Sequence, residues 1–154
     1  MEWGHGSGGA HTRVTVFGAA GATGRHVIAA AAEAGHEVTV LVRDPTKLGG
    51  ADPRITVLQG DARDPDAVGA AVQGAEAVIS TIGGPGQERA IMRSDLDWTI
   101  ARCVVLTGGP ATGQVHVLTQ GKLGGSRIAR ADVARWLVEQ LQDTTYSRCA
   151  VSLW

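Results

Sequence analysis

Val14-Thr15-Val16-Phe17-Gly18-Ala19-Ala20-Gly21-Ala22-Thr23-Gly24 passes from a β-branched apolar run through three spaced glycines into an alanine-rich stretch. The pattern predicts a strand, a tight turn and a helix. Gly18 lets the chain turn sharply at the strand's end, Gly21 lets the backbone approach a pyrophosphate, and Gly24 lets the helix pack closely on a sheet. Free amides at the helix start, together with the helix dipole, then favour an anion. The chain holds 22 glycines, so the flanking strand and helix give this triplet its weight.

Working outward, Val27, Ile28, Ala31 and Ala32 mark an apolar helical face that Gly35 ends. His36 to Val42 follows as a second strand, completing a strand-helix-strand unit of about 30 residues. Ile55 to Leu58 reads as a third strand, Pro65 to Gln73 as a helix opened by Asp64 and Pro65, and Glu76 to Ile82 as a fourth strand. This alternation predicts the α/β class: a doubly wound parallel sheet with helices on both faces. Further on, Gln87 to Asp95 reads as a short helix, Trp98 to Leu106 as a strand and Gln114 to Thr119 as a shorter one. Ala131 to Leu141 reads as a closing helix with Asp132 suited to its dipole, and Cys149 to Leu153 as an edge strand.

Composition bounds the class. With 154 residues, 44% hydrophobic and 19% charged, the chain suits one soluble domain over residues 12–154, preceded by a loose glycine-rich arm at 1–11. The net charge of −1, with scattered basic residues, gives no footprint for nucleic acid or a membrane surface. No apolar run approaches a membrane span, and the arm lacks the apolar core of a signal peptide. Cys103 and Cys149 lack metal or redox-motif spacing, which fits reduced thiols in a cytoplasm. His5 and His11 lack the carboxylate or cysteine partners of a metal site, so no metal is expected.

Ligands of open parallel sheets lie at the carboxyl ends of the strands. There the second strand ends Leu41-Val42-Arg43-Asp44-Pro45, where an NAD-preferring fold carries an acidic group for the ribose hydroxyls. Arg43 either forks onto a ribose 2′-phosphate, favouring NADP(H), or is a surface charge beside Asp44. Asp61, after the third strand, either accepts from an adenine amino group or caps a turn or helix. Ser80-Thr81-Ile82-Gly83-Gly84 ends the fourth strand with a small backbone that a ribose or nicotinamide can approach.

Five motifs in order carry a resemblance. Phe17 to Gly24, Leu41-Val-Arg-Asp-Pro-Thr-Lys47, Gln59-Gly-Asp-Ala62, Asp95-Leu-Asp-Trp-Thr-Ile-Ala-Arg102 and Arg130-Ala-Asp-Val-Ala134 resemble the NmrA-like branch of the atypical short-chain dehydrogenases, which includes biliverdin and flavin reductase-type proteins. The resemblance covers most of the chain after residue 12. It implies a Rossmann fold binding NADP(H), with Gly18, Gly21, Ala22, Thr23 and Gly24 on the pyrophosphate. Arg43 falls on the 2′-phosphate, Asp61 and Ala62 at the adenine, and Thr81, Ile82 and Gly83 along the same edge.

The chain departs from that family after its fourth strand. Gly83-Gly84-Pro85-Gly86 leads almost directly into a later-looking helix, so about one strand-helix unit is missing. The 15 residues from Gly83 to Asp97 just suffice for a parallel crossover that brings Trp98 to Leu106 in beside the fourth strand. Otherwise an exposed apolar edge remains and self-association is expected. Short-chain dehydrogenases usually pair a tyrosine acid with a lysine four residues on; the sole tyrosine here is Tyr146 and the lysines are Lys47 and Lys122, so that relay is absent. Cys103 stands where the family usually has proline, as either a reactive thiol or an inert buried one, and Ala129 replaces a common serine cap. His26 and His116 are either acid-base groups or structural histidines. No catalytic residue is assigned. These features point to a reductase passing hydride to a flavin or quinone without a relay, to a non-catalytic NADP-binding regulator, or to a cofactor-free protein carrying out an isomerisation or cyclisation.

Overall fold

The computed structural model describes residues 11–50, 52–84, 86–122 and 124–154. The arm expected at 1–11 lies outside these, apart from His11. Contacts divide the chain into two compact units, one ending at Ile82 and the other spanning Gly83–Trp154.

The unit ending at Ile82 is built on four parallel strands in the order β3-β2-β1-β4. These are β1 (Arg13–Phe17), β2 (Glu37–Val42), β3 (Ile55–Gln59) and β4 (Ala77–Ser80), with helices α1 (Gly24–Glu33) and α2 (Pro65–Val72) between them. Each predicted element of this half forms within two residues of its expected bounds. The register sets Phe17 against Leu41 and Ser80, and Leu41 against Leu58, so all four strands end at one edge. Both sheet faces are covered, which is why β1 is buried at four successive positions after Arg13. On one face Val14, Val16, Val38 and Val40 are at most 1% exposed, and α1, which packs on β1 and β2, buries Val27, Ile28, Ala31 and Ala32. On the other, α2 brings Ala71 onto Phe17 and Leu41, and the buried Thr15 hydroxyl donates to the Ala71 carbonyl at 2.7 Å. The return from β3 to β4 reverses the direction of strand addition, so a right-handed crossover puts α2 on the face opposite α1. This is the doubly wound α/β arrangement.

The unit beginning at Gly83 departs further from expectation. It contains α3 (Gln87–Met92), β5 (Thr99–Cys103), β6 (Val105–Thr107), β7 (Val117–Leu118), β8 (Arg127–Ala129), α4 (Arg130–Glu139) and β9 (Cys149–Leu153). The expected strand from Trp98 to Leu106 is broken at Val104, whose amide donates to the Leu153 carbonyl, and its halves join different sheets. β5 pairs parallel with β9, while β6 pairs with β8. The strand expected at the edge, β9, is the centre of its sheet, with antiparallel β7 on its other side. Its core gathers Ile128, Val133, Trp136, Val151 and Leu153, with Cys103, Tyr146 and Cys149 packed against them.

Candidate nucleotide-binding edge

The glycine turn fills the gap between β1 and α1 so tightly that two of its positions admit no side chain. Gly18 has φ +79°, and a Cβ there would lie 2.5 Å from the Thr81 hydroxyl oxygen. At Gly24 a Cβ would meet the Gly18 carbonyl oxygen at 2.0 Å and the Ala19 Cα at 2.8 Å, both backbone. The turn is closed by the Gly21 amide donating to the Gly18 carbonyl at 2.9 Å. Arg25 and Val27 then donate to the carbonyls of Gly21 and Thr23, starting the helix. The amides of Ala22, Thr23 and Gly24 take no part in these bonds, and the Thr23 side chain caps nothing. Among the described residues these donors meet no acceptor, and at the positive end of α1, beside an exposed Gly21, they fit an anionic oxygen.

Thr81 joins this turn to β4. Its amide donates to the Phe17 carbonyl at 3.0 Å, and its hydroxyl lies 3.1 and 3.2 Å from the carbonyls of Phe17 and Gly18. The neighbouring strands β2 and β4 lie on opposite sides of β1, so the turn occupies the point where strand order reverses. Ile82 is 43% exposed on the same edge. Gly83 opens the other unit, where a Cβ would meet nothing within 4 Å.

Arg43 and Asp61 also stand at the carboxyl edge, following the ends of β2 and β3. Arg43 is exposed, and the hydrogen bond it makes is through its backbone carbonyl, which accepts from Gln59 Nε2 at 3.2 Å. Asp61 does not cap α2; Asp64 does, accepting from the Asp66 amide at 3.0 Å. Instead Asp61 closes a local turn onto Arg63, accepting from its amide at 2.9 Å and pairing with its guanidinium at 2.8 Å. These bonds hold its carboxyl at about 2, with the charge of Arg43 adding to the effect. Asp61 is thus an ionised acceptor, partly engaged, with Ala62 exposed beside it.

Arg25 is the residue that motif reading passed over. Its Nε donates to the Ala20 carbonyl at 3.2 Å and its Nη2 to the Lys47 carbonyl at 2.7 Å. One guanidinium therefore bridges the glycine turn and the short 3-10 turn at Pro45–Leu48 that follows β2. A signal existed in the sequence, since a cation in a helix's first turn opposes the dipole and needs another reason to be there.

Cys103, His116, Tyr146 and Asp132 have structural surroundings in the unit beginning at Gly83. Cys103 is half-buried in the apolar cluster and its thiol pKa is raised by burial, which disfavours the reactive thiolate. His116 stacks on Trp154 with ring centres 5.6 Å apart, and Tyr146 tilts against Trp136 at 5.8 Å. Asp132, 2% exposed, takes both amides of Thr112 and Gly113 and the Thr112 hydroxyl at 2.8–3.0 Å. Among the described residues no three His, Cys, Asp or Glu side chains converge to hold a metal, and no helix is long and apolar enough to cross a membrane.

Known proteins share this architecture. The protein superimposes on a candidate epimerase from Bacteroides thetaiotaomicron with a TM-score of 0.81 over 94% of this chain and 97% of that one, at 18% identity. A candidate NADH-flavin reductase from Streptococcus pneumoniae gives 0.69 over 92% and 98%, also at 18% identity. In sequence, 81 residues are 38% identical to an isoflavone reductase homolog of Zea mays, spanning 47% of this chain and 26% of the maize protein. The chain therefore spans about a quarter of that relative's length. The family model described as NAD(P)H-binding matches residues 18–90 and 86–144, two segments that overlap at residues 86–90. The chain belongs to the NAD(P)H-binding family.

Proposed function

We propose that this chain binds NADP(H) along the carboxyl edge of β1–β4 and acts as a reductase for a small flavin or quinone acceptor. The observation that carries the reading is the set of amides at Ala22, Thr23 and Gly24, unpaired among the described residues, above a turn that admits no side chain at Gly18 or Gly24. A pyrophosphate suits those donors, because backbone N–H groups at a helix start bind phosphate oxygens without reorganising. Arg43 supports NADP(H) over NAD(H): an exposed, fork-shaped cation stands where an acidic side chain would otherwise hold the ribose hydroxyls. Asp61 and Ala62 would face the adenine, and Thr81, Ile82 and Gly83 the nicotinamide half.

The bound nicotinamide supplies a hydride. The chain's own task is to fix the dinucleotide, because the Tyr-Lys pair of related dehydrogenases is missing and Tyr146 is packed on Trp136. A flavin or quinone acceptor suits such a site, since solvent can deliver its proton. The same absence favours a second reading, an NADP-binding regulator without turnover. Titration with NADPH and NADH, followed by NADPH oxidation with free flavin or menadione, separates the two. Arg43→Ala is expected to weaken NADPH about tenfold or more through loss of a charge-assisted contact, leaving NADH nearly unchanged. Equal losses for both nucleotides would contradict the 2′-phosphate role, and tight binding without oxidation would leave the regulator.

A further inference from the structure

We propose that Arg25 is a positioning residue that sets the preference for the 2′-phosphate, by holding the segment after β2 against the glycine turn. This rests on the NADP(H) reading above and adds to it a residue that touches neither phosphate subsite's backbone donors. Three observations carry it. Arg25 spends two guanidinium nitrogens on backbone carbonyls, Ala20 in the turn and Lys47 in the 3-10 turn. The 3-10 turn begins two residues after Arg43 and is otherwise tied down locally, by Asp44 accepting from the Thr46 amide at 3.1 Å and from its hydroxyl at 2.6 Å. Finally, Arg25 stands in the first turn of α1, where a positive charge is disfavoured by the dipole and a bonding role must offset that cost.

The physical consequence is a division of labour between two arginines. Arg43 offers its fork to a ligand, while Arg25 spends its Nε and Nη2 on two protein carbonyls and ties the pyrophosphate turn to the chain that follows Arg43. Two carbonyls belonging to different segments need a planar, branched donor; a lysine ammonium on a flexible stem cannot hold both with the same geometry. Preorganisation of this kind affects a ligand that spans both subsites more than one that uses the pyrophosphate turn alone.

The test is the ratio of NADH to NADPH dissociation constants for the full chain and for Arg25→Ala, Arg25→Lys and Arg25→Ala combined with Arg43→Ala. Amide hydrogen exchange at residues 46–49 is measured alongside. Both single Arg25 variants are expected to lower the ratio about three- to tenfold, in line with one or two lost hydrogen bonds, and to speed exchange at 46–49. NADH affinity should change less than about twofold, and the double variant should lose little more selectivity than Arg43→Ala alone. Retention of the ratio by Arg25→Lys would overturn the proposal in favour of a simple charge effect. Equal weakening of NADH and NADPH would overturn it in favour of a general scaffold role. A wild-type chain that binds neither nucleotide would overturn the NADP(H) reading and this inference together, whereas intact NADPH preference in Arg25→Ala would overturn this inference alone.

Discussion

Gly24→Ala should be among the most damaging single-methyl additions in the half of the chain that ends at Ile82. Its Cβ would lie 2.0 Å from the Gly18 carbonyl oxygen, 2.7 Å from the Gly18 carbonyl carbon and 2.8 Å from the Ala19 Cα. The nearest of these is roughly 1.5 Å short of a comfortable contact. All three are backbone atoms, so no rotamer change relieves the clash and α1 or the turn must move as a body. Overpacking typically costs about 1–3 kcal/mol where side chains can yield; with backbone on both sides the cost belongs at about 3 kcal/mol or above. Alanine's better helix propensity returns at most about 1 kcal/mol, leaving a net loss of about 2–3 kcal/mol. Gly69→Ala is the matched control. It lies within α2, has nothing within 4 Å of its would-be Cβ, and should stabilise by about 0.5–1 kcal/mol. Urea unfolding followed by far-UV circular dichroism, with amide exchange at β1 and α1 to localise the effect, reads both variants. A wild-type midpoint for Gly24→Ala, or a shift in the same direction for both, would refute the close-packing argument. The displaced helix start should also weaken NADPH and NADH alike, which separates this variant from Arg43→Ala.

Three further outcomes follow from particular side chains. Asp132→Asn should cost about 2–3 kcal/mol in urea unfolding, because the new amide presents a donor to the amides of Thr112 and Gly113 that now donate to a carboxylate; an unchanged midpoint would show that this anchoring is unimportant. His36 accepts from the Thr12 amide at Nδ1 and burial lowers its pKa below 6.5, so the unfolded chain takes up the proton first. Stability should therefore fall as pH drops below about 6.5, and the pH slope should be smaller in His36→Asn; an identical slope in both proteins would contradict this. Cys103, with its raised thiol pKa, should react with a disulfide reagent at pH 8 about tenfold more slowly than free cysteine, and Cys103→Ala should leave NADPH affinity unchanged.

The half of the chain that ends at Ile82 was legible because its signals are local. Val14 to Phe17, Glu37 to Val42 and Ile55 to Gln59 are runs rich in β-branched residues, each followed within two residues by glycine or aspartate, and each forms a strand against its sequence neighbours. Gly18 and Gly24 signalled two turn positions that tolerate no Cβ, and obstructing atoms stand at both. The later half was less legible because its pairings are distant in sequence. Nothing local at Trp98 to Leu106 signals that Val104 will end one strand and that Val105 will begin another against Arg127, or that Cys149 to Leu153 will sit between β5 and β7. Of the roles open to Asp61, the structure shows the turn: it accepts from the Arg63 amide, and the Arg63 guanidinium adds a pairing that side-chain reach allows and sequence spacing alone does not single out.

The same contrast bears on chemistry. The groups expected to bind are backbone amides and exposed cations at an edge that strand register defines, so their placement follows from the fold: Phe17, Leu41, Leu58 and Ser80 end together, and the residues that follow them share one edge. Groups that move protons need tuned surroundings, and four such groups in the unit beginning at Gly83 have surroundings that are apolar or already engaged. Tyr146 rests on Trp136, Cys103 is held towards its neutral form by burial, His116 lies flat on Trp154, and Asp132 is occupied by Thr112 and Gly113. Under the proposed NADP(H) reading, a chain that keeps these four groups in structural roles suits an acceptor that needs no acid from them. That is the physical basis for proposing a flavin or quinone rather than a carbonyl substrate, whose developing alkoxide would require a positioned donor.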